Sequence, residues 1–335
     1  PVYSANNEFG NPKDPRVVAA TNLRSHYQDA FSFGMEQKLG AFNVGAKASY
    51  RSLGSAIDDF CDFRPFIAAA VANGMDPDVA QGFEDRFSCA IFNPGVGNSF
   101  WQDVDGDGVL EKYDLSASQL GYPKLKRKYY GIDLFLERPF DGKWYARVDY
   151  TYSRNWGNTE GQLLSDIGQV DVSATQAFDF PELMEHANGL LPNHRKHQLK
   201  ARGYYQLADE WTLSGNFLYA SGRPRNCLGI YPDRDNPGSG YRSSYFYCDG
   251  EASPRGSYGS LPATYRLDLG VRYAPEWGKG LTLSMDVFNV FHRQSTQNVN
   301  EQYNQQGTAT VNPDWGRTIS YSAPRSVQFT ARYDW

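Results

Sequence analysis

The segment Asp103 to Asp114, DVDGDGVLEKYD, sets three aspartates at alternate positions among glycines. That spacing is the template of a calcium loop. Asp103, Asp105 and Asp107 fill its first, third and fifth positions. Gly108 is the turn glycine, Val109 offers a backbone carbonyl, Leu110 is the apolar position, Glu111 follows, and Asp114 closes the loop. A hard cation needs several oxygens converging on one point, and glycine permits the sharp wrap. Asp at the closing position is shorter than the usual bidentate Glu, so a weaker site is expected. The preceding stretch, NPGVGNSFWQ, does not read as a helix, so this is no helix–loop–helix sensor. The alternative, an acidic turn without metal, leaves crowded carboxylates repelling one another. Structural calcium is the expected cofactor.

The cysteines form two local pairs, Cys61/Cys89 and Cys227/Cys248, each in a loop-like segment rich in Gly, Pro and Asp. Two disulfides are expected, which places those loops in an oxidising compartment. Four free thiols are the alternative. His194 and His197 are three apart, but at a strand start such residues point to opposite faces. A metal role for them is therefore not expected. No nucleophile elbow, zinc-protease helix or phosphate loop occurs, so no enzyme is expected. The net charge of −5 argues against a nucleic-acid partner. The chain starts at a proline without a signal peptide, and is read as a mature or truncated piece.

The elements that carry these loops show period-2 alternation. In KWYARVDYTYS, Trp144, Ala146, Val148, Tyr150 and Tyr152 share one face. Tyr145, Arg147, Asp149, Thr151 and Ser153 share the other. A half-buried strand gives this pattern and a helix does not. About nine such strands can be counted, centred near residues 31–36, 42–51, 130–137, 143–153, 199–207, 211–219, 265–273, 281–287 and 327–335. Charge collects on one face: Arg51, Arg147, Asp149, Arg202, Arg266, Asp268 and Arg272.

In a sandwich the apolar face would meet a second sheet; in a membrane barrel it meets lipid, and the charged face lines a wet lumen. Two features favour the barrel. The strands run about 10 to 15 residues, which suits tilted membrane strands. Aromatics bound the apolar runs: Trp144, Trp211, Tyr273 and Trp335 at one end, Tyr50, Tyr152, Tyr219 and Tyr265 at the other. The mean hydropathy of −0.60 does not exclude this, because only alternate residues face lipid. The connections decide it. Short turns near residues 39–41, 140–143, 208–210 and 275–280 alternate with long segments at 58–123, 157–193, 222–262 and 293–324. In an antiparallel meander all long loops then share one side, as in outer-membrane barrels. A compact soluble domain would not easily hold a structureless connection of about 65 residues. The expected fold is thus all-β, a transmembrane antiparallel β-barrel. An odd strand count, with the last strand ending on the short-turn side, predicts the C-terminal portion of a larger barrel, leaving two unpaired edges. The charged residues above are lumen-lining candidates. They either contact substrate or pair with neighbours along the wall.

In the first long loop, residues 64–90 read as one or two short helices, broken at Pro77 and capped by Asp76. They are expected to pack over the barrel mouth, held by Cys61–Cys89.

The C-terminal segments LTLSMDVFNVFHR (281–293) and YSAPRSVQFTARYDW (321–335) resemble the end of TonB-dependent outer-membrane receptors. Asn289-Val290-Phe291, Pro324-Arg325 and the terminal Trp335 carry that resemblance. NTEG (158–161), LPNHRKHQLKARGYYQL (191–207) and SGRP (221–224) resemble the Oar-like subset. The resemblance implies a whole barrel of roughly 22 strands around a plug. It also implies that Phe329, Tyr333 and Trp335 form the signal read by barrel-assembly machinery. Further implied partners are outer-membrane lipid, an extracellular ligand, and an energy-coupling TonB-type protein reached through a segment outside this sequence. The implied function is energised uptake, or passage, of a scarce nutrient or peptide across the outer membrane. Two rivals are a passive pore or structural barrel, and a soluble calcium-dependent sandwich that binds carbohydrate.

Overall fold

The computed structural model describes residues 14–335. Nine long strands form one antiparallel meander: β1 (Tyr27–Leu39), β2 (Phe42–Ser55), β3 (Arg127–Arg138), β4 (Trp144–Gly157), β5 (His197–Ala208), β6 (Trp211–Ala220), β7 (Thr264–Tyr273), β8 (Leu281–Phe288) and β9 (Ser326–Tyr333). Each pairs with the next in sequence, and a two-residue strand, Gly189–Leu190, pairs antiparallel with the end of β4. The sheet is open: β1 and β9 are its edges. The strands coincide with those the alternation predicts.

The register aligns the two faces across the sheet. Leu134 on β3 stands beside Ala46 and Tyr150, Val148 beside Ala201, and Phe217 beside Leu267. This apolar face meets no second sheet among the described residues. Phe33 and Phe329 are each 76% exposed and Leu134 45%. Water would charge heavily for so large an apolar area, whereas lipid does not. The soluble sandwich therefore fails on this point. Trp211 and Tyr273 stack at 4.4 Å near the short turns, and Tyr219 pairs with Tyr265 at the opposite end. From Trp144 to Tyr152 the strand rises roughly 26 Å, or about 20 Å of height after a tilt near 40°, comparable to the apolar band of a membrane barrel.

On the polar face, Phe135 lies across Gly45; a Cβ there would come within 2.1 Å of the ring. The glycine is what lets the aromatic lie flat along the wall. The ring in turn carries the Arg147 guanidinium at 4.4 Å.

The buried core is not in the sheet but in the long connections, which run 56–126, 158–196, 221–263 and 289–325 between strands. The first loop is folded, with the two short helices expected in residues 64–90 and strand pairings that were not expected. It holds a pairing of Asp58–Phe60 with Ala90–Phe92, a hairpin of Asn98–Gln102 with Glu111–Leu115, and the helices Arg64–Ala72 and Pro77–Gln81. The second helix is capped as expected: Asp76 accepts from the backbone of Asp78 and Val79. Phe60, Phe66, Phe92 and Phe100 are fully buried here, with Phe60 and Phe92 at 4.8 Å. Phe178 of the second loop and Leu228 and Phe246 of the third join the same core.

Candidate functional site

The four loops form one body at one end of the sheet, and polar contacts join them where the core does not. Arg64 of the first loop bonds Asp62 at 2.7 Å and Glu182 of the second at 2.8 Å. Cys61 N–H donates to the Asp179 carbonyl at 2.8 Å. Asp58 accepts from the Thr175 N–H at 2.6 Å and its hydroxyl at 2.7 Å. Burial pushes the Asp58 carboxyl up to about 7, despite the opposing Thr175 bonds. Asp179 is likewise pushed up to about 7, by burial and by the neighbouring Asp59.

A second knot ties the other loops. Arg255 and Asp166, both with side chains only 1% exposed, form an ion pair. Asn226 bridges Asp166 at 2.6 Å and Glu301 at 2.8 Å, and Glu301 takes Arg223 at 2.8 Å. The Arg255 guanidinium also donates to the Ala187 carbonyl and sits 4.7 Å over the Phe246 ring. Both disulfides, Cys61–Cys89 and Cys227–Cys248, lie in this body.

The calcium-type segment is the tip of the hairpin. Gln102 pairs with Glu111, so residues 103–110 make the turn. Val104 is fully buried and anchors the tip in the core, while its carbonyl accepts from Arg86 at 2.6 Å. Gly106 and Gly108 have φ of 80° and 91°, left-handed values that a side chain would strain. Asp103 accepts from the N–H of Gly106 at 2.8 Å and of Gly108 at 3.0 Å. Carboxylate oxygens of Asp103, Asp105 and Asp107 lie within 4.8 Å of one another. Asp107 also accepts from the Val109 N–H at 2.7 Å. Glu111 has a buried Oε2 with no hydrogen-bond partner. Burial, then Asp105 and Asp107, raise its pKa. Asp114 stands apart from the cluster: it is opposite Ser99 on the strand, held by the Ser99 hydroxyl at 2.5 Å and Lys112 at 2.8 Å. The arrangement offers a hard cation three clustered carboxylates, with Glu111 beside them.

The lumen candidates sit on the polar face, and most are paired along it. Arg147 meets Asp149 at 2.9 Å and Glu137 at 3.5 Å; Arg202 reaches Asp149 at 3.6 Å; Arg266 meets Asp268 at 2.6 Å. Arg272 lies 3.5 Å from the Thr282 hydroxyl, and Arg51 lies over the Tyr129 ring. The two histidines go to separate partners: His194 Nδ1 accepts from the Asn155 N–H and His197 Nδ1 bonds the Tyr150 hydroxyl. Phe329 and Tyr333 are exposed on the apolar face of β9, and Trp335 follows the strand, fully exposed.

Asn289, at the end of β8, takes a left-handed φ of 52° and is 2% exposed. Its amide donates to the carbonyls of Arg293 and Ala323, and Arg325 donates to the Val290 carbonyl. These contacts close the base of the fourth loop. The buried Arg255, Asp166 and Glu301 were not singled out by spacing, because their partners lie up to 89 residues away.

No protein-family model matches the chain. By sequence it is 28% identical over 372 residues to the TonB-dependent transporter Oar of Myxococcus xanthus, covering 99% of this chain and 30% of that protein. The chain thus spans about 30% of that relative's length. Similar solved structures include the ferripyoverdine receptor of the outer membrane of Pseudomonas aeruginosa, at 14% identity and TM-score 0.44, covering 92% of this chain and 27% of the receptor. Another is the outer membrane transporter YddB from Escherichia coli, at 12% identity and TM-score 0.49, covering 93% and 33%. Along nearly its whole length the chain is thus similar in sequence to a TonB-dependent transporter, and its nine-strand antiparallel wall carries the exposed apolar band of an outer-membrane β-barrel.

Proposed function

We propose that the protein captures a scarce extracellular nutrient or peptide and passes it across the outer membrane in an energy-coupled, TonB-dependent step. The single observation that carries this is the likeness to Oar over 99% of the chain. The architecture supports it: all long loops fold together at one end of a membrane wall, where a ligand arriving from outside would meet them. Loops positioned by a rigid scaffold are where binding residues concentrate. The energy-coupling partner is a TonB-type protein. The test uses the full-length gene in its host. Outer-membrane fractionation, and loss of ligand uptake when the TonB-type protein is deleted, are the expected results. A steady ion conductance of the purified protein in planar bilayers, with uptake unaffected by that deletion, would favour the passive pore instead.

Calcium at Asp103, Asp105, Asp107 and Glu111 is the second part of the proposal. The orphaned Glu111 Oε2 beside three carboxylates supports it. The ion would supply the positive charge that the tip lacks and stiffen the hairpin, lowering the ordering cost of ligand binding. Val109 would contribute through its backbone carbonyl, and Asp114 stays with Ser99 and Lys112 on the strand.

A further inference from the structure

The middle of the lumen wall is charge-matched, since Arg147, Arg202 and Arg266 each have a carboxylate partner. The loop-side end of the same wall is not. There Arg51 on β2, Arg127 on β3 and Arg195, just before β5, line one recess of about 430 Å³ together with Asn155 and Gln198. None of the three forms an ion pair with a described carboxylate, in contrast to the arginines below them. Glu160 is the acid in the lining, and its carboxylate is already engaged. It accepts from the Ser165 N–H at 2.6 Å and the Ser165 hydroxyl at 3.1 Å. Arg127 reaches only its backbone carbonyl. Burial, and the charge of nearby Arg223, push the Arg195 pKa down. Three guanidiniums thus share a partly dehydrated recess with one carboxylate, Glu160, which acts on Arg127 without an ion pair, so the lining keeps an excess of positive charge. Such a grouping is costly empty and favourable once an anion enters. Guanidinium forks match the planar, bidentate oxygens of carboxylates and phosphates.

We propose that this recess at the lumen mouth binds an oxyanion-bearing small molecule, through Arg51, Arg127 and Arg195 with the amides of Asn155 and Gln198. The inference rests on the reading of the chain as a receptor wall and names the chemistry of what that receptor holds. Its size falls within the usual range for small-ligand sites, about 300 to 1,000 Å³.

Calorimetry on the full-length protein in detergent tests it, with citrate, inorganic phosphate and sucrose as probes. Heat from citrate or phosphate but none from sucrose is expected, and the tighter of the two anions identifies a carboxylate or a phosphate ligand. Arg195→Gln should weaken the anion at least about tenfold, as loss of a charge-assisted bond would. Arg332→Gln, at the far end of β9 beside Asp334, should leave it unchanged. Arg51→Gln gives a second variant if Arg195→Gln does not fold. Absence of anion heat, or equal affinity in folded Arg195→Gln and Arg51→Gln, would overturn the proposal; the first result would also fit a carboxylate of the protein's own chain filling the recess. Failure of outer-membrane fractionation would overturn the transport reading alone and leave an anion isotherm standing.

Discussion

At the scale of single residues, the hairpin tip sets the sharpest test. Without a cation, burial disfavours the charge of Glu111, and Asp105 and Asp107 repel it further. Its raised pKa means that the metal-free tip gains from this group at low pH and loses that gain as pH rises through the shifted value. Glu111→Gln should therefore raise the melting temperature in EDTA at neutral pH and lower it in millimolar calcium. A shift of the same sign in both buffers would contradict calcium binding. Asp105→Ala should abolish the calcium heat seen by titration calorimetry of the full-length protein. Spacing alone identified Asp103, Asp105 and Asp107 as neighbours, because a turn enforces proximity. It did not reveal that Asp114 would be claimed by Ser99 and Lys112, since that depends on where the strand pairing begins.

At the scale of elements, the loops are joined by buried polar contacts that respond differently to change. Arg255→Ala would leave the Asp166 carboxylate buried without its cation, at a cost of about 3–5 kcal/mol. The expected result is rapid proteolysis within residues 158–196 and 221–263 while the strands stay protected; an unchanged digestion pattern would refute it. The junction of the first and second loops is a pH-dependent one. Asp58 has a folded pKa of about 7 against an ordinary value of 3.8. Its stabilising contribution is full below the ordinary value and is lost as pH rises through about 7. The Asp179 shift has the same sign. The near-ultraviolet dichroism of the loops should melt lower at pH 8 than at pH 5, and Asp58→Asn with Asp179→Asn should flatten the difference. Asparagine keeps an acceptor for the Thr175 N–H. All nine strands were legible from the sequence, because a wall with two different solvents on its faces writes a period of two into every strand. The loop body was not. Its contacts, such as Arg64 with Glu182 or Asp58 with Thr175, join residues more than a hundred positions apart, and no local period encodes them.

At the scale of the whole molecule, the exposed apolar band requires lipid. Leu134 stands inside β3, between its Arg127 and Arg138 ends. Leu134→Lys should impair folding into liposomes by about 2–4 kcal/mol, the cost of a cation near the bilayer midplane. Ser49→Lys, on the polar face of β2, should fold nearly as well as the parent. Equal losses for both would mean that the two faces are not differently solvated.

The fused loop crown also bears on how such a protein can change. Independent loops would let each drift alone. Here a substitution in one loop meets a core and ion pairs supplied by the others. Grafting a single loop from a relative should therefore misfold, whereas exchanging the four together should succeed. Variation in this crown is then expected to come in blocks, by recombination of the whole outer half, more than by the gradual divergence of one tip.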